Sequence, residues 1–129
     1  MGCFLEVFRS FRAAVPSEEL DSRRLARIEV HRDLVLADPT EPRARFWGIT
    51  GEIHSTHFYE QTQAWAETFA NAGFDGIRYL LRHDPSQRQA GIALFGPREP
   101  LEKYPAGESH TIDRELILDV EKRFGIRVI

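Results

Sequence analysis

Helical periodicity is clearest in two stretches of the chain. Phe58, Thr62, Trp65, Ala66, Phe69 and Ala70 recur at three- and four-residue spacing. That pattern predicts a helix from about Phe58 to Ala72 with this stripe turned inward, stopped by Gly73 as a left-handed cap. Asp113 to Phe124 reads as a final helix with Leu116, Ile117 and Val120 inward and Gly125 at its end. The opening segment places Phe4, Val7, Phe8 and Phe11 on one helical face and stops at Pro16. Strand patterns are shorter: Leu25 to Val30, Leu34 to Ala37, Ile77 to Leu81, Ala90 to Phe95 as a buried strand, and Ile126 to Ile129. Ser17 to Ser22 reads as an acidic helical stub, and Arg43 to Trp47 as one or two turns ending at Gly48. Residues 48–57 and 83–88 read as loops, and the Pro/Gly/Glu-rich stretch before Asp113 as an excursion without regular structure. Together these predict one α+β domain over 1–129, with short mixed or antiparallel strands and helices packed against them.

Composition narrows the function classes. A chain that is 42% hydrophobic and 11% aromatic can fill a core. Its net charge of -3 argues against an electrostatic nucleic-acid footprint. No apolar run is long enough to span a bilayer, and Glu6 interrupts the only stretch resembling a leader. Gly2 fails as a myristoylation signal because Glu6 stands where Ser or Thr is needed. The lone Cys3 suits a reducing cytoplasm, and its apolar neighbours predict a small buried hydrophobe rather than a nucleophile. Nearly all basic residues are Arg, with Lys103 and Lys122 as the lysines. Base composition of the coding sequence explains that bias, and so does an Arg-clamped anionic ligand.

Glu6 is the leading catalytic candidate. A carboxylate among Phe, Leu and Val must reach water, find a partner or face a ligand, since burying it alone is costly. In a pocket it can orient a ribose hydroxyl or stabilise positive charge developing at a sugar C1. Helix spacing alone slightly favours an outward position between Cys3 and Ser10. His54 and His57 beside Glu52 allow a metal site or half of a two-histidine phosphoesterase pattern, whose second half is absent. The ordinary reading there is Ser55 or Thr56 as a helix cap. Arg78, Arg82 and His83 flank the strand Ile77 to Leu81 and could grip a pyrophosphate or simply be solvated. Trp65 reads as core rather than a nicotinamide platform. No Walker loop, dinucleotide-binding glycine fingerprint or Ser/His/Asp spacing is present.

The order of blocks carries a resemblance. Gly2-Cys-Phe-Leu-Glu-Val-Phe-Arg9 is followed by Tyr59-Glu-Gln-Thr-Gln-Ala-Trp-Ala66. Then come Phe74-Asp-Gly-Ile-Arg-Tyr-Leu-Leu-Arg-His-Asp-Pro85, Ala93-Leu-Phe-Gly96 and Arg123-Phe-Gly-Ile-Arg-Val128. This resembles the RES domain family across essentially the whole chain. The resemblance implies a fold related to ADP-ribosyltransferases and a site for NAD as substrate, with no bound cofactor or metal. It implies NAD consumption, by phosphorolysis or by ADP-ribosyl transfer to protein, as the toxin of a bacterial, cytoplasmic toxin–antitoxin pair. An antitoxin protein is the implied partner. Glu6 matches the family's Glu, which reverses the preference for an outward position. Arg82, with Tyr79 in the same block, matches the phosphate-holding end, while Leu81 stands where a Ser is expected. Only five residues precede Glu6, so the family's Arg region with its Gly-Arg-Phe segment is expected to be missing. The chain then reads as the C-terminal portion of a full domain. That reading predicts an exposed apolar patch at Phe4, Phe8 and Phe11, which would favour self-association. A catalytically inactive truncated fragment or binding module is the alternative, and a phosphoesterase or metal protein built on His54 and His57 is a second.

Overall fold

A computed structural model describes residues 1–96 and 106–129. In chain order the elements are α1 (Gly2–Val7), β1 (Ala14–Val15), α2 (Ser17–Asp21), β2 (Arg24–Ile28) and β3 (Leu36–Ala37). Two 3-10 segments follow, Pro42–Trp47 and Gly51–His54, and then α3 (Tyr59–Asn71), β4 (Gly76–Leu80) and β5 (Ala90–Leu94). The chain closes with β6 (Ala106–Thr111), α4 (Arg114–Phe124) and β7 (Arg127–Val128). The architecture is α+β with both parallel and antiparallel pairings. No helix among the described residues is long and apolar enough to cross a membrane.

The described residues form two compact units. The first takes in Cys3–His31 and the described residues from 106 onward. Its core is apolar: Phe4, Leu5, Phe8, Val15, Leu20, Val120 and Ile126 are buried against one another. The ring centroids of Phe4 and Phe8 are 4.5 Å apart. β1 and β7 pair in parallel, and the ladder runs on through Ser17 N–H to the Ile129 carbonyl at 2.7 Å. Asp113 caps α4 by accepting from Leu116 N–H at 2.7 Å, and Gly125 ends it at φ 68. Leu116, Ile117 and Val120 face this core as the periodicity predicts.

Several sequence expectations fail here. Phe4 and Phe8 are each 3% exposed and Phe11 packs beside them, so the predicted apolar patch does not exist. α1 stops at Val7, which is exposed, and Leu5 takes the inward place assigned to it. Cys3 is exposed and is not the buried hydrophobe expected. β6 falls within the stretch read as irregular. Its sequence Ala-Gly-Glu-Ser-His-Thr has no alternation, and it becomes a strand by pairing antiparallel with β2. Arg24 reinforces that pairing by donating to the Ser109 carbonyl at 2.9 Å.

The second unit covers residues 32–96, with Gly2. Its sheet has the order β3-β4-β5, with β3 parallel to β4 and β5 antiparallel to β4. Parallel neighbours need a long crossover, and both 3-10 segments and α3 supply it. Gly48 and Gly73 close the first 3-10 segment and α3 at φ 78 and 88, where a side chain would be strained. Within the predicted stripe of α3, Thr62, Trp65, Ala66 and Phe69 are half-buried, whereas Phe58 and Ala70 are exposed. Trp65 stacks on Phe69, and Phe74 meets Phe69 edge-on. β5 is mostly exposed rather than buried.

Candidate functional site

Three carboxylates organise the second unit. Asp75 accepts from Val35 N–H at 2.8 Å and pairs with Arg32, while its own N–H reaches the Val35 carbonyl. This ties the approach to β3 onto the start of β4. Gly76 follows because a Cβ there would collide with the Ala93 carbonyl of the neighbouring strand.

Asp38 ends β3. Its Oδ1 accepts from the Thr40 N–H at 3.0 Å and from the Thr40 hydroxyl, whose oxygen accepts in turn from Arg78 on β4. Arg78 Nη1 also lies 3.5 Å from Asp38 Oδ1. Burial pushes the Asp38 carboxyl up, but the Thr40 hydrogen bonds and the Arg78 charge outweigh it, so the net shift is downward. His54 leans on the same cluster. Its Nδ1 accepts from Leu80 N–H at 3.5 Å. Burial lowers its pKa below the usual value, against the opposing pull of the Asp38 charge and a backbone hydrogen bond with Pro39. A neutral ring accepting at Nδ1 carries its proton on Nε2. His54 is therefore occupied as a structural tie between the second 3-10 segment and β4.

Asp84 sits just past β4 and is 1% exposed. Its Oδ1 accepts from Ser86 N–H at 2.9 Å and Ser86 Oγ at 2.6 Å. Its Oδ2 accepts from Arg88 N–H at 2.9 Å and Gln89 N–H at 2.8 Å. Burial alone would raise its pKa, but these donors hold it below the ordinary carboxylate value. The backbone closes the same loop, with Leu81 N–H to Gln89 O at 3.0 Å and Asp84 N–H to Leu81 O at 3.1 Å. Sequence reasoning missed this residue. The Asp-Pro-Ser order was a signal for a side chain bonding its own backbone two residues on.

The predicted site residues now have places. Arg82 is exposed on the rim of the Asp84 loop, with Nη2 at 3.1 Å from His57 Nδ1 and 3.3 Å from Nε2. A guanidinium has only donors, so the bond needs a lone pair on the His57 ring. Tyr79 is half-buried on β4, opposite Gly91. A Cβ on Gly91 would come within 2.6 Å of the Tyr79 ring, so glycine leaves room for it. His54 and His57 point to different partners. Among the described residues, no group of three or more His, Cys, Asp or Glu is placed to hold a metal. Neither Ser55 nor Thr56 caps α3: the N-cap is Phe58 without a side-chain bond, and the Thr56 hydroxyl accepts from Phe58 N–H at 3.0 Å in a turn just before the helix. Glu6 lies in the first unit, on the flank of α1 beside Leu5, and is half-buried. Among the described residues its carboxylate has no hydrogen bond or ion pair.

A family model described as the RES domain matches residues 1–119. The chain belongs to the RES domain family. No curated protein and no solved structure matches it. In this RES domain the block around Asp75-Gly76 owes its chemistry to the strand tie and the close approach described above. Leu81, where the resemblance expects Ser, is 2% exposed and held by backbone hydrogen bonds on both sides.

Proposed function

We propose that this RES domain consumes NAD by breaking the bond between the nicotinamide nitrogen and its ribose. The electron pair of that bond leaves with the ring as neutral nicotinamide, and a phosphate oxygen or a protein side chain bonds to the sugar C1 of the ADP-ribose. The observation that carries the reading is family membership over residues 1–119. Glu6 adds to it as a half-buried carboxylate without a partner among the described residues. Its negative charge suits an oxocarbenium-like centre, where fixed electrostatics contribute most. Arg82 offers phosphate oxygens a fork of donors, with Tyr79 on the preceding strand. In this reading the fold is related to the ADP-ribosyltransferases, and the protein acts in the cytoplasm as a toxin countered by an antitoxin.

The test is to incubate the purified chain with NAD, with and without inorganic phosphate, and to follow nicotinamide by chromatography. Release that falls about 100-fold or more in Glu6→Gln is expected for a group acting on the transition state. Undiminished release in that variant would sink the role of Glu6. A second reading, an inactive RES domain kept for binding, is favoured by Leu81, which offers no hydroxyl and is sealed from solvent. Its signature is no release from the unaltered chain while NAD still binds by calorimetry.

A further inference from the structure

The first 3-10 segment of the second unit carries an unusual surface. Phe46 is 89% exposed and Trp47 76%. Arg43 and Arg45, both exposed, stand in the same six residues and form no ion pair among the described residues. The segment is a built turn: Gly48 closes it at φ 78, and Ile49 N–H bonds to the Ala44 carbonyl while Ile49 itself is buried. Aromatic rings and Arg on a fixed support are the residue types that anchor protein interfaces.

Charge decides among the occupants. Packing this surface against its own copy about a two-fold axis would set Arg43 and Arg45 against themselves, and facing like charges is costly. An anionic bilayer fits poorly, since six residues beside Glu41 make no extended amphipathic helix. The chain's net charge of -3 also opposes it. A complementary face exists on the chain itself. Along α4, Asp113, Glu115, Leu118, Asp119 and Lys122 line an open hollow with three carboxylates to one cation, Asp119 also accepting from Arg123. Leu118 is 52% exposed there, and Glu115 has no partner among the described residues.

We propose that residues 42–47 of one copy dock onto the outer face of α4 of a second copy. Phe46 and Trp47 cover Leu118, and Arg43 and Arg45 face Glu115 and Asp119. The two patches differ, so the contact is heterologous, and it either closes reciprocally in a dimer or repeats head to tail. Sedimentation of the purified chain over a wide concentration range is expected to show association beyond the monomer, weakened by salt. Trp47→Ser is expected to weaken association about thirtyfold or more, as truncating an interface anchor does. The pair Arg43→Glu with Arg45→Glu, and the pair Glu115→Arg with Asp119→Arg, should each leave the chain monomeric. Mixing the two charge-reversed proteins should restore association, because each then offers the other a complementary patch. A monomer at every concentration would overturn the proposal, as would association indifferent to these substitutions. A monomer whose Trp47 emission shifts on anionic vesicles would overturn it too, assigning the surface to a membrane.

Discussion

The two units hold themselves together by different means. In the first, seven apolar side chains close on one another, with Val15 and Val120 almost wholly removed from water. In the second, the buried apolar side chains are only Ala37, Ile49 and Leu81 among the described residues. There the carboxylates of Asp38, Asp75 and Asp84 do the joining, each to backbone N–H groups as well as side chains. Apolar burial is non-directional and insensitive to pH. Carboxylate ties are directional, fix loop geometry and fail when protonated. A unit latched in the second way holds exposed groups such as Arg82 in place with little core beneath them. Chemical conditions should therefore reach it sooner.

The largest effect is expected from Phe8→Ala. It empties a site that is 3% exposed and contacts two other rings, which costs about 3–5 kcal/mol. Denaturant titration gives the total. Hydrogen exchange should show the loss spread through β1, β7 and α4. Exchange that accelerates equally in β4 and β5 would break the comparison, because the units would then unfold as one.

Asp84→Ala comes next, at about 2–4 kcal/mol, because hydrogen bonds to a charged acceptor disappear and N–H groups lose their partner. The estimate stays below that for Phe8 because residues 85–88 are exposed and water can replace part of the loss. Acid should mimic the substitution. Asp38 and Asp84 have folded pKa values below the ordinary 3.8. Their contribution is therefore full above about that pH and is lost as pH falls through the folded values. His54 acts in the same direction from a higher starting point. Its folded pKa lies below 6.5, so its neutral form favours folding above that value and the benefit is lost as the ring charges. Exchange in 76–94 should rise on acidification before exchange in the core of the first unit does. Simultaneous loss would count against the distinction.

This difference also explains what could be read in the sequence. α3 and α4 were legible because periodicity and the terminal glycines Gly73 and Gly125 are local signals, and the structure places both glycines at positive φ. The apolar core was legible in its members but not in its closure. Phe4 and Phe8 were recognisable as a face, yet what covers them includes Val120 and Ile126, more than a hundred residues away along the chain. β6 was illegible because its strand character comes from β2. In the second unit, Arg82 and Tyr79 could be named from the block that carries them. The Asp84 cage that fixes the loop was hidden, because a polar loop and a polar latch have the same composition. Glu6 could be singled out as a candidate, but that it is half-buried and without a partner among the described residues shows only in the fold.

Gly76→Ala should cost about 1–3 kcal/mol, the usual range for forcing atoms into a filled space. The added methyl meets the Ala93 backbone carbonyl, which cannot swing aside, and Leu94 Cα and Cδ2 at 3.0 Å. Gly91→Ala should cost less, since the obstacle there is the far end of the Tyr79 side chain rather than backbone. Equal costs for the two would mean that the Tyr79 ring is as firmly held as the backbone.

The smallest effect is the one that isolates burial from charge. Arg123 donates to Asp119 at 2.8 Å across one turn of α4, with both side chains well exposed. An exposed pair at this spacing contributes about 0.3–0.5 kcal/mol and is screened by salt. Arg123→Ala should therefore shift the denaturation midpoint barely at all, and not at all in high salt beyond the slight gain in helix propensity from Ala. Asp119 keeps water as its partner, whereas the groups around Asp84 lose their buried acceptor. If Arg123→Ala cost as much as Asp84→Ala, pairing alone would account for the second unit's cohesion. A large gap between them places the difference in the enclosure of the carboxylate.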